Sequence, residues 1–256
     1  MRAVAALIAV LSATAHASPG DELPVLGEVN GVRARIVVRG ELPKAREREL
    51  VTLVSRIVAD VERRFTAKHD PDAAVTLLLL GDRARYRKVA RELRDPLISD
   101  WGFYLPDKRV AIANVGNSVG NLRHELVHPL LGDDYPAIPS WLNEGIAALY
   151  GTAKPTKQGF TFLVNYRLRD LQRALEAGTL PTIAELATSS ADEMYGERAM
   201  VFYALARYVL LYVDRQGDLG KLYSELRAAK PKDHAAILAE HVDDAEFRAW
   251  ARKLRF

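Results

Sequence analysis

Two short segments of this sequence carry side chains that can bind a metal ion and activate water. The first segment, HELVH, covers residues 124–128 and has the pattern H-E-x-x-H. On a helix, residues four apart lie on one face, so the imidazoles of His124 and His128 can reach one ion. The nitrogen ligands of zinc lie at about 2.0–2.1 Å, which two such side chains can achieve. Glu125 lies one residue further round and can act as the general base that holds a water molecule.

The second segment, PSWLNEGIAALY, covers residues 139–150 and supplies a third candidate ligand. Pro139 and Ser140 favour the start of a helix, which puts Glu144 in its first turns. Catalytic zinc sites use three protein ligands and leave one position open for water. A second helix that crosses the first could deliver the Glu144 carboxylate to the metal. Three other histidines have no ligand-like residues near them in the sequence, and we predict that they lie at the surface. They are His69, His234 and His241.

The combination of H-E-x-x-H with a following W-L-N-E-G resembles the gluzincin zinc metallopeptidases. It is most similar to small secreted peptidase MA-like proteins, whose second segment reads P-x-W-L-x-E-G-x-A, and aminopeptidase N-like enzymes share W-L-N-E-G. The resemblance covers residues 121–150, with looser similarity to residue 254. It implies a zincin-like fold with one zinc ion bound by His124, His128 and Glu144, and Glu125 as the catalytic base. The matching positions in the second segment are Pro139, Trp141, Leu142, Glu144, Gly145 and Ala147.

The sequence departs from this family pattern around the histidines. In thermolysin-like chains, an Asp four residues after the ligand Glu supports a histidine, and Ala148 occupies that place here. The outer hydrogen-bond partner that metal-binding histidines usually have is therefore unassigned. Pro129 directly follows His128 and predicts a kink or an end of the helix, because proline removes a backbone hydrogen bond. For Glu125, the alternative role is an ordinary salt bridge with Arg123.

Peptide hydrolysis also requires stabilisation of the oxyanion that develops on the substrate. The resemblance implies that a Tyr or His from a downstream helix does this. Tyr195, next to Gly196 near a predicted helix start, is the first candidate. At this spacing an aromatic residue more often belongs to the core. The other candidates are Tyr203, Tyr208 and Tyr212.

The segment RVAIAN, residues 109–114, directly precedes the H-E-x-x-H segment. The resemblance implies an edge strand here that pairs with the extended backbone of a substrate. Such pairing gives affinity through main-chain hydrogen bonds and requires no particular substrate sequence. A plain structural strand is the alternative.

Periodicity predicts strands first and helices later, which is typical of an α+β protein. We expect a small mixed or antiparallel sheet with helices, followed by a mostly helical lobe. Residues 18–256 would form one domain, with a strand-containing lobe over 28–117 and a helical lobe over 118–256 that carries the zinc site. The predicted strands are VRARIVVRG (32–40), AVTLLLL (74–80), WGFYL (101–105) and RVAIAN (109–114). The predicted helices are 43–67, a basic helix that ends near 94, 118–131, 139–150, 165–177, 193–214, 219–229, 234–241 and 244–254.

The N-terminal segment MRAVAALIAVLSATAHA, residues 1–17, has the organisation of a secretory signal peptide. It contains one arginine, an apolar stretch too short for a permanent membrane span, and a small-x-small end. We expect its removal and export of the protein to a periplasm or the medium; a buried N-terminal helix is the alternative. Residues 18–27 are predicted to be a loose leader, and no later apolar run is long enough to span a membrane. The chain has no cysteine, so its metal ligands must be histidines and carboxylates.

The composition excludes some classes of partner. The 36 basic and 33 acidic residues are interspersed, so no nucleic-acid partner is expected. The expected function is that of an exported zinc metallopeptidase that acts on a peptide or protein substrate, and the sequence leaves the oligomeric state open. One alternative is a non-catalytic zinc protein, in which the metal pins two helices together or shapes a peptide-binding groove. Another is a helical scaffold without metal.

Overall fold

A computed structural model of the protein describes residues 20–32, 34–65, 74–116 and 118–256, so the predicted signal peptide lies outside the described residues. The strands of the N-terminal sheet are β1 (Val25–Asn30), β2 (Arg35–Glu41), β3 (Val75–Leu80), β4 (Gly102–Leu105) and β5 (Val110–Asn114). Their order across the sheet is β1-β2-β3-β5-β4. The central strands β2, β3 and β5 run parallel, whereas β1 and β4 pair antiparallel with their neighbours.

Helices make up most of the chain after this sheet, which confirms the prediction of a mixed sheet followed by helices. In the part of the chain that the structure describes, no helix is long and apolar enough to cross a bilayer. A short antiparallel hairpin, β6 (Lys154–Thr156) and β7 (Gly159–Thr161), interrupts the helical part. The helices are α1 (Lys44–Phe65), α2 (Arg83–Leu93), α3 (Gly120–Asp134), α4 (Ser140–Gly151), α5 (Leu168–Glu176), α6 (Ile183–Ala187), α7 (Ala191–Tyr195), α8 (Ala199–Gln216), α9 (Leu219–Ala228), α10 (His234–His241) and α11 (Asp244–Lys253).

The central strand β3 shows how the sheet positions the helices. Leu77 and Leu79 belong to the main core, which also contains the apolar residues of α1, α3, α4 and α8. Leu78 and Leu80 belong to a smaller core beneath α2. Successive side chains of a strand point to opposite faces, so a strand between two layers is apolar without interruption. The main core therefore joins the sheet directly to the two helices that carry the predicted metal ligands.

Two predicted boundaries are wrong. The leader predicted over 18–27 ends earlier, because β1 begins at Val25 and pairs with β2. The helix predicted over 193–214 is two helices, α7 and α8. Helix α7 begins before the predicted start because Ser190 and Glu193 form a capping box. It ends at Tyr195 because the next residue, Gly196, leaves the helical conformation with a ψ of −151°.

Helix α3 continues through Pro129 to Asp134, so of the kink or end predicted at Pro129 the end does not occur, and the helix predicted over 118–131 runs three residues further. The last turn is fixed by contacts with distant parts of the chain. Asp133 accepts two hydrogen bonds of 2.8 Å from Arg109, and Asp134 accepts one of 2.9 Å from Tyr223. These contacts offset the cost of proline inside a helix, which is about 3 kcal/mol.

His234 lies in the interior, not at the surface as predicted. Its Nε2 is 3.2 Å from the hydroxyl of Tyr135. The His241 Nε2 is 2.6 Å from a carboxylate oxygen of Glu225, and His69 lies outside the described residues. Hydrogen-bond partners within the fold thus account for His234 and His241.

Candidate metal centre

The two motif segments meet where α3 packs against α4. His124 and His128 lie on one face of α3, with ring centroids 4.9 Å apart. Glu144 lies in the second turn of α4, and its Oε2 is 3.3 Å from Nε2 of His124 and 4.0 Å from Nε2 of His128. The structure therefore brings together the three side chains that the sequence predicts as metal ligands.

Arg123 fastens the start of α3 to the end of α4. Its guanidinium donates to the carbonyl of Tyr150 at 2.9 Å and to that of Gly151 at 3.0 Å. The last carbonyls of a helix lack partners within the helix, so a cationic donor there satisfies them. Arg123 is thus not the salt-bridge partner of Glu125. Among the described residues, no lysine or arginine lies within ion-pair distance of the Glu125 carboxylate, which instead lies 3.9 Å from Nε2 of His128.

The spacing of the donor atoms fits a divalent metal ion. Two ligand atoms at about 2.0–2.1 Å from a tetrahedral zinc ion lie about 3.3 Å from each other. The separations of 3.3 Å and 4.0 Å between Glu144 and the imidazoles are near this value. Oε2 of Glu144 is also buried, and it accepts no hydrogen bond from the residues that the structure describes. A buried carboxylate oxygen that accepts no hydrogen bond is costly, and a metal ion shared with the two imidazoles would compensate that cost.

Glu125 is a second carboxylate close to the same imidazoles. The donor atoms of His124, Glu125 and His128 all lie within 4.8 Å of one another, so this group could also hold a metal ion. Its Oε2 is 3.9 Å from Nε2 of His128. We favour Glu144 as the third ligand, because a single one of its oxygens approaches both imidazoles and has no hydrogen-bond donor of its own. Glu125 then remains available to act on a water molecule.

Burial and charge give the two carboxylates different proton affinities. Loss of hydration raises the pKa of Glu125 above its usual value. Burial also opposes the ionisation of Glu144, but the imidazoles of His128 and His124 and a hydrogen bond from Tyr195 outweigh it and lower its pKa to about 2. Glu144 is therefore negatively charged at neutral pH, as a metal ligand must be. Glu125 is the better proton acceptor of the two.

Asn143 supplies the outer hydrogen bond that the sequence leaves unassigned. Its Oδ1 lies 3.0 Å from Nδ1 of His128. An imidazole that donates a proton from Nδ1 to this oxygen presents the lone pair of Nε2 to a metal. The sequence could have indicated Asn143 as this partner, because it directly precedes Glu144 in the W-L-N-E-G segment and so lies on the helix that packs against α3.

We expect Asn143→Ala to weaken zinc binding by about 10- to 100-fold, the usual effect of removing an outer partner of a ligand histidine. Competition with a chromophoric chelator measures the Kd. Asn121→Ala is the matched control, because the amide of Asn121 lines the same cleft but donates to the backbone carbonyl of Asn114 at 2.9 Å. Equal zinc affinity of the Asn143 variant and the unmodified protein would contradict this role.

Tyr195 lies beside the metal-ligand candidates. Its hydroxyl donates to Oε1 of Glu144 at 2.8 Å, so in this conformation it supports that carboxylate. Tyr203 lies next to it, with ring centroids 6.2 Å apart. The other two candidates lie away from Glu144: Tyr208 is hydrogen-bonded within the core, and Tyr212 packs against two further aromatic rings.

Strand β4, rather than β5, is the edge strand beside the site. β5 pairs with β3 on one side and with β4 on the other, so the predicted edge at residues 109–114 is wrong. The two strands form a hairpin that places β4 outermost. Gly102 of β4 approaches the general-base candidate closely: a Cβ there would lie 2.5 Å from Cγ of Glu125 and 2.8 Å from the carbonyl oxygen of Ile112. A side chain at this position would therefore displace either Glu125 or the sheet.

An open cleft of about 910 Å³ runs past these residues. Its volume lies in the range of ligand sites in proteins. The lining includes β4, the metal-ligand candidates and residues 165–167. Four large apolar or aromatic side chains along the cleft are more than half exposed, which suits the binding of apolar groups. They are Ile98, Trp101, Tyr166 and Tyr195.

Comparison with known proteins identifies no matching family and no curated protein of significant similarity. The functional interpretation of this chain is therefore built on the geometry of the cleft and on its two motif segments.

Proposed function

We propose that this protein is an exported zinc-dependent peptide hydrolase with a zincin-like fold and a gluzincin-type site. One observation carries the proposal. A buried Glu144 oxygen without a hydrogen-bond donor lies 3.3 Å and 4.0 Å from the two imidazole nitrogens of the H-E-x-x-H helix. A second buried carboxylate, Glu125, lies beside the same imidazoles in an open cleft. Export is proposed from the signal-peptide pattern of residues 1–17.

The residues of the cleft divide the chemistry of peptide hydrolysis among them. Zinc bound by His124, His128 and Glu144 would supply a Lewis acid for the scissile carbonyl and an acidified water molecule. Glu125 takes a proton from the attacking water and transfers it to the leaving amine nitrogen, so that the proton count balances. Tyr195 can donate to the oxyanion once its hydroxyl turns from Glu144.

The free edge of β4 is suited to hold the backbone of the substrate. An extended peptide that adds to this edge gains main-chain hydrogen bonds that do not depend on its sequence. Gly102 would keep the added strand close to Glu125, because it has no side chain between the edge and the carboxylate. Trp101 and Tyr166 offer apolar surface for side chains of the substrate.

Removal of the metal is the test of this proposal. We expect the purified protein to contain about one zinc per chain and to cleave casein or a mixed peptide library. Dialysis against a chelator should abolish cleavage, and about one equivalent of zinc should restore it, because the water is activated by the ion. The new peptide ends are counted by mass spectrometry. Zinc-replete protein that cleaves no peptide would contradict the proposal and favour the non-catalytic zinc protein, whereas a lack of bound zinc would favour the metal-free scaffold.

The non-catalytic zinc protein is the second candidate, and two features of the sequence favoured it. One was the missing outer partner of the histidines, but Asn143 hydrogen-bonds to His128. The other was the kink or end of the helix expected at Pro129, and the helix does not end there, because α3 continues to Asp134. Neither feature of the sequence therefore distinguishes this candidate from the hydrolase.

A further inference from the structure

The cleft contains an arginine whose charge is not balanced by a carboxylate. Arg167 is half-buried and lines the cleft directly before α5. Its guanidinium lies 5.4 Å from the ring centroid of Tyr166 and 5.1 Å from that of Tyr203. In the described part of the chain, no carboxylate lies within ion-pair distance of this guanidinium, and no protein group accepts a hydrogen bond from it. Its five donors are therefore available to a ligand in the cleft.

A second, fully buried arginine lies behind the same end of the cleft. Arg207 of α8 is 0% exposed and donates through one nitrogen to the Thr152 hydroxyl at 2.8 Å and to the Leu163 carbonyl at 2.6 Å. Its Nε and Nη1 have no hydrogen-bond partner among the described residues. Burial and repulsion from Arg167 lower the pKa of Arg207 to about 10. A buried cation without a carboxylate is costly, so this end of the cleft holds uncompensated positive charge.

Some partly buried arginines of this protein have carboxylate partners, whereas Arg39, Arg46 and Arg123 donate to backbone carbonyls. Arg64 pairs with Asp60 at 2.9 Å, and Arg109 pairs with Asp133 at 2.8 Å. Arg167 differs from both kinds, because no carboxylate or carbonyl of the described residues accepts from its guanidinium, although the cleft also contains Glu125 and Glu144. A line of contacts leads from Arg167 to these acids: Arg167 lies over the ring of Tyr203, Tyr203 contacts Tyr195, and Tyr195 donates to Glu144.

We propose that the Arg167 end of the cleft binds a carboxylate of the substrate. This deepens the proposed peptide-hydrolase function and rests on it. A guanidinium that faces a cleft matches a carboxylate in a bidentate geometry, and Arg207 behind it adds a fixed positive field. Because only two side chains in sequence, Tyr203 and Tyr195, span the path traced from Arg167 to Glu144, the carboxylate belongs to a residue near the scissile bond. Two sources share this chemistry: the C-terminal carboxylate of a peptide and an acidic side chain.

Calorimetry with two pairs of peptides tests the proposal without turnover. The protein is zinc-loaded Glu125→Gln, so that bound peptides stay intact. One pair is an N-acetylated neutral hexapeptide with a free C-terminal carboxylate and its C-terminal amide. The second comparison uses the C-terminal amide throughout. At each position in turn, a peptide with Glu is compared with the same peptide carrying Gln. In at least one of the two comparisons, we expect the peptide with the carboxylate to bind about 10- to 100-fold more tightly than its neutral counterpart. This is the difference in Kd that corresponds to one charged hydrogen bond.

Variants of two arginines assign that difference. Arg167→Gln should abolish the preference for the carboxylate, whereas Arg169→Gln should retain it, because Arg169 is exposed on the same helix and lies over the ring of Phe256. A carboxylate that binds the zinc itself would keep its advantage in Arg167→Gln, and that result would overturn the proposal. Equal binding within both pairs would also overturn it. Peptide cleavage without a carboxylate preference contradicts only this inference, whereas the absence of any cleavage by the unmodified protein contradicts the hydrolase function.

Discussion

Glu125→Gln is expected to reduce peptide hydrolysis by about 10²- to 10⁴-fold, the usual contribution of a general base. The substitution keeps the size of the side chain and its hydrogen-bonding oxygen but removes the basic carboxylate. Burial raises the pKa of Glu125, which makes it a good proton acceptor at neutral pH. Gly102 leaves no room for the side chain to move towards β4, so the amide should occupy the same place. Zinc content should be unchanged, because Glu144 is the proposed third ligand.

The comparison with two other variants makes this result specific. Glu240→Gln changes an exposed carboxylate of α10 and should alter neither turnover nor zinc content. Glu144→Gln should lose zinc together with activity, because it removes the charged ligand. If zinc is lost from Glu125→Gln and retained by Glu144→Gln, the roles of the two carboxylates are reversed. Undiminished hydrolysis by the Glu125 variant would rule out its role as the base.

The chemistry of the candidate site was predictable because it depends on local spacing. An H-E-x-x-H segment places two imidazoles on one face of any helix. A helix that begins near Pro139 places Glu144 one turn inside it. The 3.3 Å approach of Glu144 to His124 depends instead on how α3 and α4 pack. The hydrogen bonds from Arg123 to the end of α4 contribute to that packing, and nothing in the spacing of the motifs indicates them.

Features that depend on distant partners could not be predicted in the same way. The sequences of β4 and β5 make either strand a plausible edge. Only the order of the strands in the folded sheet places β4 at the edge. The continuation of α3 past Pro129 depends on Arg109 and on Tyr223, which lies 89 residues from its partner. The short helix α6, by contrast, had a local signal that was missed: Thr182 and Glu185 form a capping box with the T-x-x-E pattern.

Asp60→Ala is expected to lower the free energy of unfolding by about 3–5 kcal/mol, because it breaks a buried ion pair from one side. Asp60 is 2% exposed and accepts hydrogen bonds from Nε of Arg64 at 2.9 Å and from the hydroxyl of Tyr150 at 2.7 Å. It also pairs with Arg63. Without it, the buried hydroxyl of Tyr150 loses its acceptor, and the guanidinium of Arg64 keeps Asp214 as its remaining carboxylate partner at 3.0 Å. Tyr150 lies in α4, so the network also ties α1 to the helix that carries Glu144.

Thermal unfolding measures this effect, with an expected fall in Tm of about 6–20 °C at about 2–4 °C per kcal/mol for a chain of this size. The matched control is Asp170→Ala. It breaks a 3.9 Å pair with Arg173, which has the same spacing as Asp60 and Arg63 but an arginine that is 80% exposed. This loss should cost no more than about 1 kcal/mol. If Asp60→Ala does not fold, the isosteric Asp60→Asn keeps the measurement possible with a smaller loss.

A second variant disturbs the same network from the opposite side. Gly159 has a φ of +140°, and a Cβ there would lie 2.0 Å from Oδ1 of Asp60, so Gly159→Ala combines backbone strain with displacement of the carboxylate. We expect it to destabilise the protein in the same direction as Asp60→Ala. We also expect the double variant to lose less free energy of unfolding than the two single variants lose in sum, because the second change has less of the network left to break. Additive losses would mean that Asp60 and Gly159 act independently, so that the cost of Gly159→Ala comes from backbone strain and not from displacement of the Asp60 carboxylate.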